Sequence, residues 1–366
     1  MRRSLPVHSS RGAAADPSNR FERMTVSLSP EEAGEEPCRR RTEYLRDPAR
    51  TVLTQNRSPD VGFDWSLNPY RGCEHGCVYC YARPSHEYLG FSPGLDFESR
   101  ILVKEDAPAL LRDAIRRPGW NPVPLAMSGI TDPYQPVERR LGITRACLEI
   151  LEKCGHPVAL ITKNRSVTRD VDLLASLARR EAAAVTISIT TLDRDLQRAM
   201  EPRTSSPGRR LEAVEVLARA GVPVGVNVAP VIPGLTEEEI PAILSASAAA
   251  GATSAGYVLL RLPHAVSDLF ADWLSRCLPG RKGKILNRIR ASRAGRMNDP
   301  RFGTRMRGEG IFAEQIGRLF EVECRRSGLD RERPSLSTSA FRRPQRPRGT
   351  AAAMQGDLFD SVIEEV

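Results

Sequence analysis

From about Asp60 onward, short runs rich in β-branched and apolar residues alternate with stretches whose apolar positions recur every three or four residues. The short runs lie at 62–67, 124–127, 157–162, 184–190, 222–228 and 257–260. Between them, residues 107–117, 143–153, 169–180, 209–220 and 237–249 have the period of amphipathic helices. Strand, helix, strand in this repetition predicts parallel pairing through right-handed crossovers. Six such units are too few to close an eightfold barrel, so the pattern predicts an α/β fold built as a partial (β/α)6 TIM-type barrel. A further helical pattern covers 311–327.

The flanks read differently. Residues 1–58 mix Arg, Glu, Ser and Pro without a period and are expected to be a mostly disordered extension. The expected layout is then a barrel at 59–265, a basic helical extension at 266–327 and a disordered tail at 328–366. Net charge is +9, and it is concentrated late in the chain: residues 281–350 hold 19 Lys/Arg against 7 Asp/Glu. Such a run suits phosphate-backbone binding, although a solvated helix face with a basic tail has the same composition. The uncharged stretch 241–260 is rich in Ala, Ser, Gly and Thr and changes period midway, which fits a helix end, a turn and a strand rather than a membrane span. The opening Met-Arg-Arg-Ser-Leu-Pro lacks an apolar core of signal-peptide length. Eight cysteines without paired spacing imply no disulfide framework, so the expectation is a cytoplasmic protein with no membrane partner.

Chemistry enters with Cys73, Cys77 and Cys80, in the run Asn68-Pro-Tyr-Arg-Gly-Cys-Glu-His-Gly-Cys-Val-Tyr-Cys-Tyr81. Three thiolates on one short loop suit three corners of a [4Fe–4S] cubane and leave the fourth iron open to a ligand. A zinc site using His75 or His86 as fourth ligand is the alternative, but such sites usually pair two knuckles, and no second knuckle follows. Other polar residues fall after the predicted strands: Ser128, Thr131 and Asp132, then Lys163, Ser188, Asn227 and Arg261. Parallel α/β barrels place their sites at that end.

The C-x3-C-x2-C spacing, with Tyr79 before the last Cys, resembles the signature of the radical S-adenosylmethionine (SAM) superfamily. The wider set Thr131-Asp-Pro-Tyr-Gln-Pro-Val-Glu138, Ile161-Thr-Lys-Asn164, Glu201-Pro-Arg203, Ala229-Pro-Val-Ile-Pro-Gly234 and Leu260-Arg-Leu-Pro263 resembles its spore photoproduct lyase-like, or DNA repair photolyase-like, branch. The resemblance covers roughly residues 47–320. It implies a [4Fe–4S] cluster on Cys73, Cys77 and Cys80, SAM as cofactor, and a reducing partner such as flavodoxin or ferredoxin. It also implies that Ser128, Thr131 and Asp132 meet the methionine amino group. Lys163 and Ser188 are expected to reach the carboxylate or ribose, with Arg203 as a second carboxylate candidate. Asn227 is expected at the barrel mouth, and Tyr79 with Val231 and Ile232 beside the adenine. The implied reaction is hydrogen abstraction from nucleic acid by a 5′-deoxyadenosyl radical. A radical SAM enzyme of peptides or small molecules, and a non-catalytic cluster-stabilised nucleic-acid-binding protein, are the alternatives.

Two departures shape the expectation. Spore photoproduct lyase carries a hydrogen-donating cysteine after the second strand, where this chain reads Ala126-Met-Ser-Gly129, so Tyr81, Tyr134 or Cys147 must stand in if a donor is needed. At the far end, Gln355-Gly-Asp-Leu-Phe359 resembles the short peptides that dock on the bacterial replication sliding clamp.

Overall fold

The computed structural model describes residues 11–22, 40–332 and 334–345. Ten strands are described: β1 (Glu43–Arg46), β2 (Leu53–Gln55), β3 (Trp65–Leu67), β4 (Tyr70–Arg71), β5 (Arg100–Val103), β6 (Leu125–Met127), β7 (Val158–Thr162), β8 (Ala183–Ser188), β9 (Val224–Val231) and β10 (Ser254–Leu259). Six of them run parallel in the order β3-β6-β7-β8-β9-β10, and β2 adds antiparallel to β3. The sheet does not close, as the predicted partial barrel requires. Helices Ala107–Arg116, Ile143–Cys154, Val171–Ala178, Pro207–Arg219 and Ile240–Ala249 make the crossovers.

Alternation along the strands decides where the core lies. Val158, Leu160, Val185, Ile187, Val224, Val226 and Val228 are buried together with the helix residues Leu148, Leu174, Leu217 and Ile243. The other face carries Ala126, Ala159 and Ala184 in one register row, then Thr186, Gly225 and Ser254, then Ser188 and Asn227. A Cβ on Gly225 would lie 2.9 Å from Ser254 Oγ, so these inward positions also crowd one another. Large aliphatics therefore fill the strand–helix layer, while small and polar side chains leave the concave side open for a ligand.

Two regions depart from expectation. Residues 11–22 and 40–58 were read as mostly disordered, yet 11–22 lie against the segment 76–98, and β1 pairs with β5 in a second sheet of order β1-β5-β4. Period-based reading misses them because 11–22 are held by hydrogen bonds to 76–98, and 40–58 by strand pairing and two core residues, Val52 and Leu53, too few to make a period. The tail is likewise engaged through residue 345. Ala255 N–H donates to Leu329 O at 3.0 Å, Arg342 N–H to Cys154 O at 2.7 Å, and the Arg343 guanidinium to Trp120 O at 3.0 Å. Its arginines thus satisfy carbonyls that helix ends leave open. The fragment Gln355–Phe359 lies outside the described residues. Among the described residues, no helix is long and apolar enough to cross a membrane.

Candidate active site

The chain leaves β3, pairs briefly through β4 and enters the cysteine loop at Gly72, whose φ of +79° suits glycine; a Cβ there would lie 2.9 Å from the His86 ring. Cys73 N–H donates to Phe97 O at 2.9 Å and Val78 N–H to Met200 O at 3.0 Å. Arg83, fully buried, donates through Nε and Nη2 to Cys77 O at 3.0 and 2.9 Å, and pairs with Glu98, also fully buried. The loop backbone is fixed, and its thiols are left free for a ligand.

Burial pushes all three thiols up from the ordinary cysteine value, and in Cys73 the neighbouring Asp132, Cys80 and Cys77 push the same way. Three buried thiols that repel one another's charge fit a positively charged cluster core, which stabilises thiolates. A single ion fits poorly: among the described residues no three His, Cys, Asp or Glu side chains converge to hold one. Of the histidines considered for zinc, His75 is engaged at both ring nitrogens and His86 at Nε2, its Nδ1 being buried without a partner among the described residues. His75 Nε2 accepts from Asn164 Nδ2 at 3.1 Å, with its Nδ1 3.4 Å from Asp132, and His86 Nε2 lies 2.9 Å from Arg100 O.

Several residues expected to hold SAM turn out to be occupied. Asp132 Oδ1 accepts from Tyr134 N–H at 2.8 Å and Thr162 Oγ1 at 2.7 Å, while Oδ2 accepts from Lys163 N–H at 2.8 Å and faces His75. Burial works against its charge, but His75 and these donors outweigh it and hold the carboxyl below the usual carboxylate range. Lys163 Nζ donates to Ala229 O at 2.8 Å, Thr190 Oγ1 at 2.9 Å and Glu201 Oε1 at 3.1 Å, which uses its three hydrogens. Burial, reinforced by Arg210, lowers this ammonium to about 7. Glu201 is the hub, fully buried and also bonded by Tyr79 Oη, Thr190 and Arg210. Arg203 pairs with Glu74 at 3.5 Å, not with a group inside the barrel. Thr131 Oγ1 donates to Gly72 O at 2.6 Å, tying the second strand's loop to the first. Ser128 sits at φ +152°, a strained backbone for a non-glycine residue, with its Oγ donating to Thr131 O at 3.2 Å. In this structure Asp132 and Lys163 bond to protein groups, and Arg203 pairs with Glu74.

Ser188 and Asn227 lie side by side on neighbouring strands. They are register partners on the concave face, and Asn227 Oδ1 is buried without a hydrogen-bond partner. A buried unpaired acceptor beside a small serine fits a ligand that brings a hydroxyl or ammonium donor. Tyr79 and Ile232 pack in one cluster with Cys77, whereas Val231 belongs to the strand–helix core.

The hydrogen-donor candidates separate cleanly. Tyr134 is buried, its hydroxyl donating to Asp170 Oδ2 at 2.9 Å, and Cys147 is enclosed in the strand–helix core, so neither faces the barrel interior. Tyr81 is 50 % exposed, and its hydroxyl donates to Gly129 O at 2.6 Å, beside the strained Ser128. The Arg261 guanidinium lies 5.2 Å from the Tyr81 ring centroid, and Arg305 Nε donates to Asp60 at 2.6 Å. These two contacts join the end of the last strand and the segment after it to residues flanking the first, across the open seam. Sequence reasoning did not single out Arg83, Glu98 or Arg210, each a charged residue buried by tertiary pairing that leaves no local signal.

Residues 67–246 match the sequence model of the Radical SAM superfamily. An uncharacterized protein of Mycobacterium tuberculosis is 38 % identical over 229 residues, covering 61 % of this chain and 67 % of its own length. An uncharacterized protein of Methanocaldococcus jannaschii is 27 % identical over 197 residues, covering 54 % and 71 %. Among solved structures, a mutant of spore photoproduct lyase superposes with a TM-score of 0.53 over 78 % of both chains at 18 % identity. Another, with bound AdoMet and dinucleoside spore photoproduct, gives 0.52 at 17 % over the same shares. At these identities the structural likeness speaks for the fold.

Proposed function

The chain belongs to the radical SAM superfamily, and from that premise we propose that it is a lyase- or repair-like radical enzyme acting on nucleic acid. The family uses a [4Fe–4S] cluster and SAM, and when bound the pair supplies a 5′-deoxyadenosyl radical that removes a hydrogen atom from a substrate. Cys73, Cys77 and Cys80 are the proposed cluster ligands. Ser188 and Asn227 offer hydrogen-bonding groups to SAM from the concave face, and Tyr79 with Ile232 offers an apolar wall for its adenine. Asp132, Lys163 and Thr131 act one step back, holding the loops that carry these groups. Tyr81, at the rim, is the proposed hydrogen donor. Residues 59–265 form the proposed catalytic unit and 266–327 the basic extension.

The nucleic-acid reading is carried by one observation, the rim beside the last strand. Phe302 is 56 % exposed within the segment 296–307, which also holds Arg296, Arg301, Arg305 and Arg307. Arg293 anchors this segment by donating to Leu259 O at 3.1 Å and Leu260 O at 2.7 Å, so the basic loop stands at the barrel mouth. Arg261 adds a guanidinium whose Nε is buried and unpaired. The Phe302 ring suits base stacking; Arg301 and Arg305 are held by Asp299, Glu309 and Asp60, so phosphate contact falls to Arg296, Arg307 and Arg261. Spore photoproduct lyase, which shares the fold, is bound to dinucleoside spore photoproduct in several solved structures, and DNA is the proposed partner here. The electron donor is proposed to be a flavodoxin or ferredoxin in the cytoplasm, and a sliding-clamp contact is proposed for Gln355–Phe359.

The enzyme assignment is tested by anaerobic reconstitution, dithionite reduction and chromatography for 5′-deoxyadenosine. Wild type should form it and Cys77→Ala should not; an intact cluster that yields none sinks the enzyme reading. Binding is tested separately by anisotropy with a labelled single-stranded oligonucleotide. Phe302→Ala should weaken binding about tenfold with the salt dependence unchanged, whereas Arg261→Ala should reduce the salt slope by about one. Unaltered binding in both variants counts against the nucleic-acid reading and leaves the radical chemistry standing.

A further inference from the structure

We propose that residues 11–21 form a strap that seals one side of the cysteine loop and governs access to Cys77, a role that rests on the cysteines being the cluster ligands. The strap is built in along its length. Gly12 N–H and Ala13 N–H donate to the two oxygens of Glu98 at 2.9 and 2.8 Å, and Arg11 Nη1 donates to Glu98 O at 2.6 Å. Asp16 Oδ1 accepts from Asp96 N–H at 2.9 Å, and Ser92 Oγ donates to Pro17 O at 2.8 Å. Asn19 Nδ2 donates to Glu87 O at 2.8 Å, and Arg20 Nε donates to Glu87 Oε2 at 2.8 Å.

Glycines mark the tightest crossings. A Cβ on Gly12 would lie 1.8 Å from Gly76 O and 3.1 Å from Val78 N, on either side of Cys77, and one on Gly94 would lie 2.1 Å from Ala15 O. The strap therefore rests on the loop backbone at van der Waals distance, where no side chain fits between. Glu98 couples it to the thiol region: the carboxylate that receives the strap's two amides also neutralises Arg83, and Arg83 grips the Cys77 carbonyl. With the strap lifted, this fully buried ion pair loses two charge-assisted hydrogen bonds and admits water beside the loop. The function of such a cover would be to keep water and oxidants from reaching Cys77 through the loop backbone on the strap's side.

The decisive experiment uses full-length protein carrying Gly12→Val, which cannot seat against Gly76, with Gly62→Val, whose added Cβ meets open space, as control. Asn19→Ala loosens the far end of the strap without touching the cysteine loop and serves where Gly12→Val misfolds. Hydrogen exchange of residues 11–22 reports release of the strap, and iodoacetamide labelling of the metal-free protein reports access to Cys77. Release should speed Cys77 labelling about tenfold, as local opening exposes a buried thiol. Reconstituted protein should lose iron to a chelator correspondingly faster in air. If the strap is released and both rates match those of Gly62→Val, the proposal is wrong. A chain that assembles no cluster in any form removes the ligand assignment instead, and the labelling rates still decide whether the strap covers Cys77.

Discussion

Two sides of the barrel mouth treat their polar atoms in opposite ways. On the third- and fourth-strand side, Lys163, Thr190, Glu201, Arg210 and Tyr79 satisfy one another, and Asp132 takes four contacts of its own. On the fifth- and sixth-strand side, Asn227 Oδ1 and Arg261 Nε are buried with nothing to bond, and the cysteine loop offers three thiols. The first side is satisfied apart from Arg165 Nε, and the second presents Asn227 Oδ1 on the concave face. A charged residue at the right strand end is thus weak grounds for a ligand contact, and an orphaned buried atom counts for one only where it also faces the concave side, as Asn227 Oδ1 does.

The comparison breaks most visibly at Glu201. Glu201→Ala removes the carboxylate that pairs with both Lys163 and Arg210, leaving two buried cations uncompensated. It should cost about 3–5 kcal/mol in the unfolding free energy of the metal-free protein, measured by urea titration. Glu201→Gln should recover part of this by keeping one acceptor oxygen. A loss below about 1 kcal/mol would show that the scaffold side is not load-sharing as its geometry implies.

What could be read beforehand follows from where each signal resides. The six parallel strands and their crossover helices were legible because their apolar faces are periodic, as in helix Ile143–Cys154 with Cys147, Leu148 and Leu151 inward. The cysteines were legible because ligand spacing on a short loop is itself a local pattern. The protein partners of Asp132, Lys163 and Arg203 were not legible, since they depend on Thr162, Glu201 and Glu74 arriving from elsewhere. Glu98 and Arg83 were invisible for the same reason. The strap was hidden because its contacts are backbone amides and polar side chains, which carry no period.

A smaller effect is set by pH. His86 supports the cysteine loop from below Gly72, and burial lowers its ring to about 4. The unfolded chain therefore binds the proton first as pH falls, so stability is full above about 6.5 and drains away toward pH 4. This group alone should account for a loss of about 3 kcal/mol across that window. His86→Phe, which cannot titrate, should flatten the profile between those limits in thermal melts of the metal-free protein. An unchanged slope would assign the acid lability to other groups, of which His156, buried and also lowered to about 4, is the first to test.

The sharpest discrimination comes from the smallest change, Asn227→Ala. Its Oδ1 has no hydrogen-bond partner among the described residues, so truncation should alter the stability of the metal-free protein by less than about 1 kcal/mol, in contrast to Glu201→Ala. If the unpaired oxygen is kept for SAM, the same truncation should weaken SAM binding to the reconstituted protein about tenfold, since a bound donor would then lose its acceptor in a dry site. Calorimetric titration reads this directly. Equal SAM affinity with unchanged stability would leave Asn227 Oδ1 without a role, and the division between a satisfied scaffold and an expectant ligand face would lose its clearest member. Weakened binding with stability intact would separate the two sides of the mouth by function as their hydrogen bonds already separate them by structure.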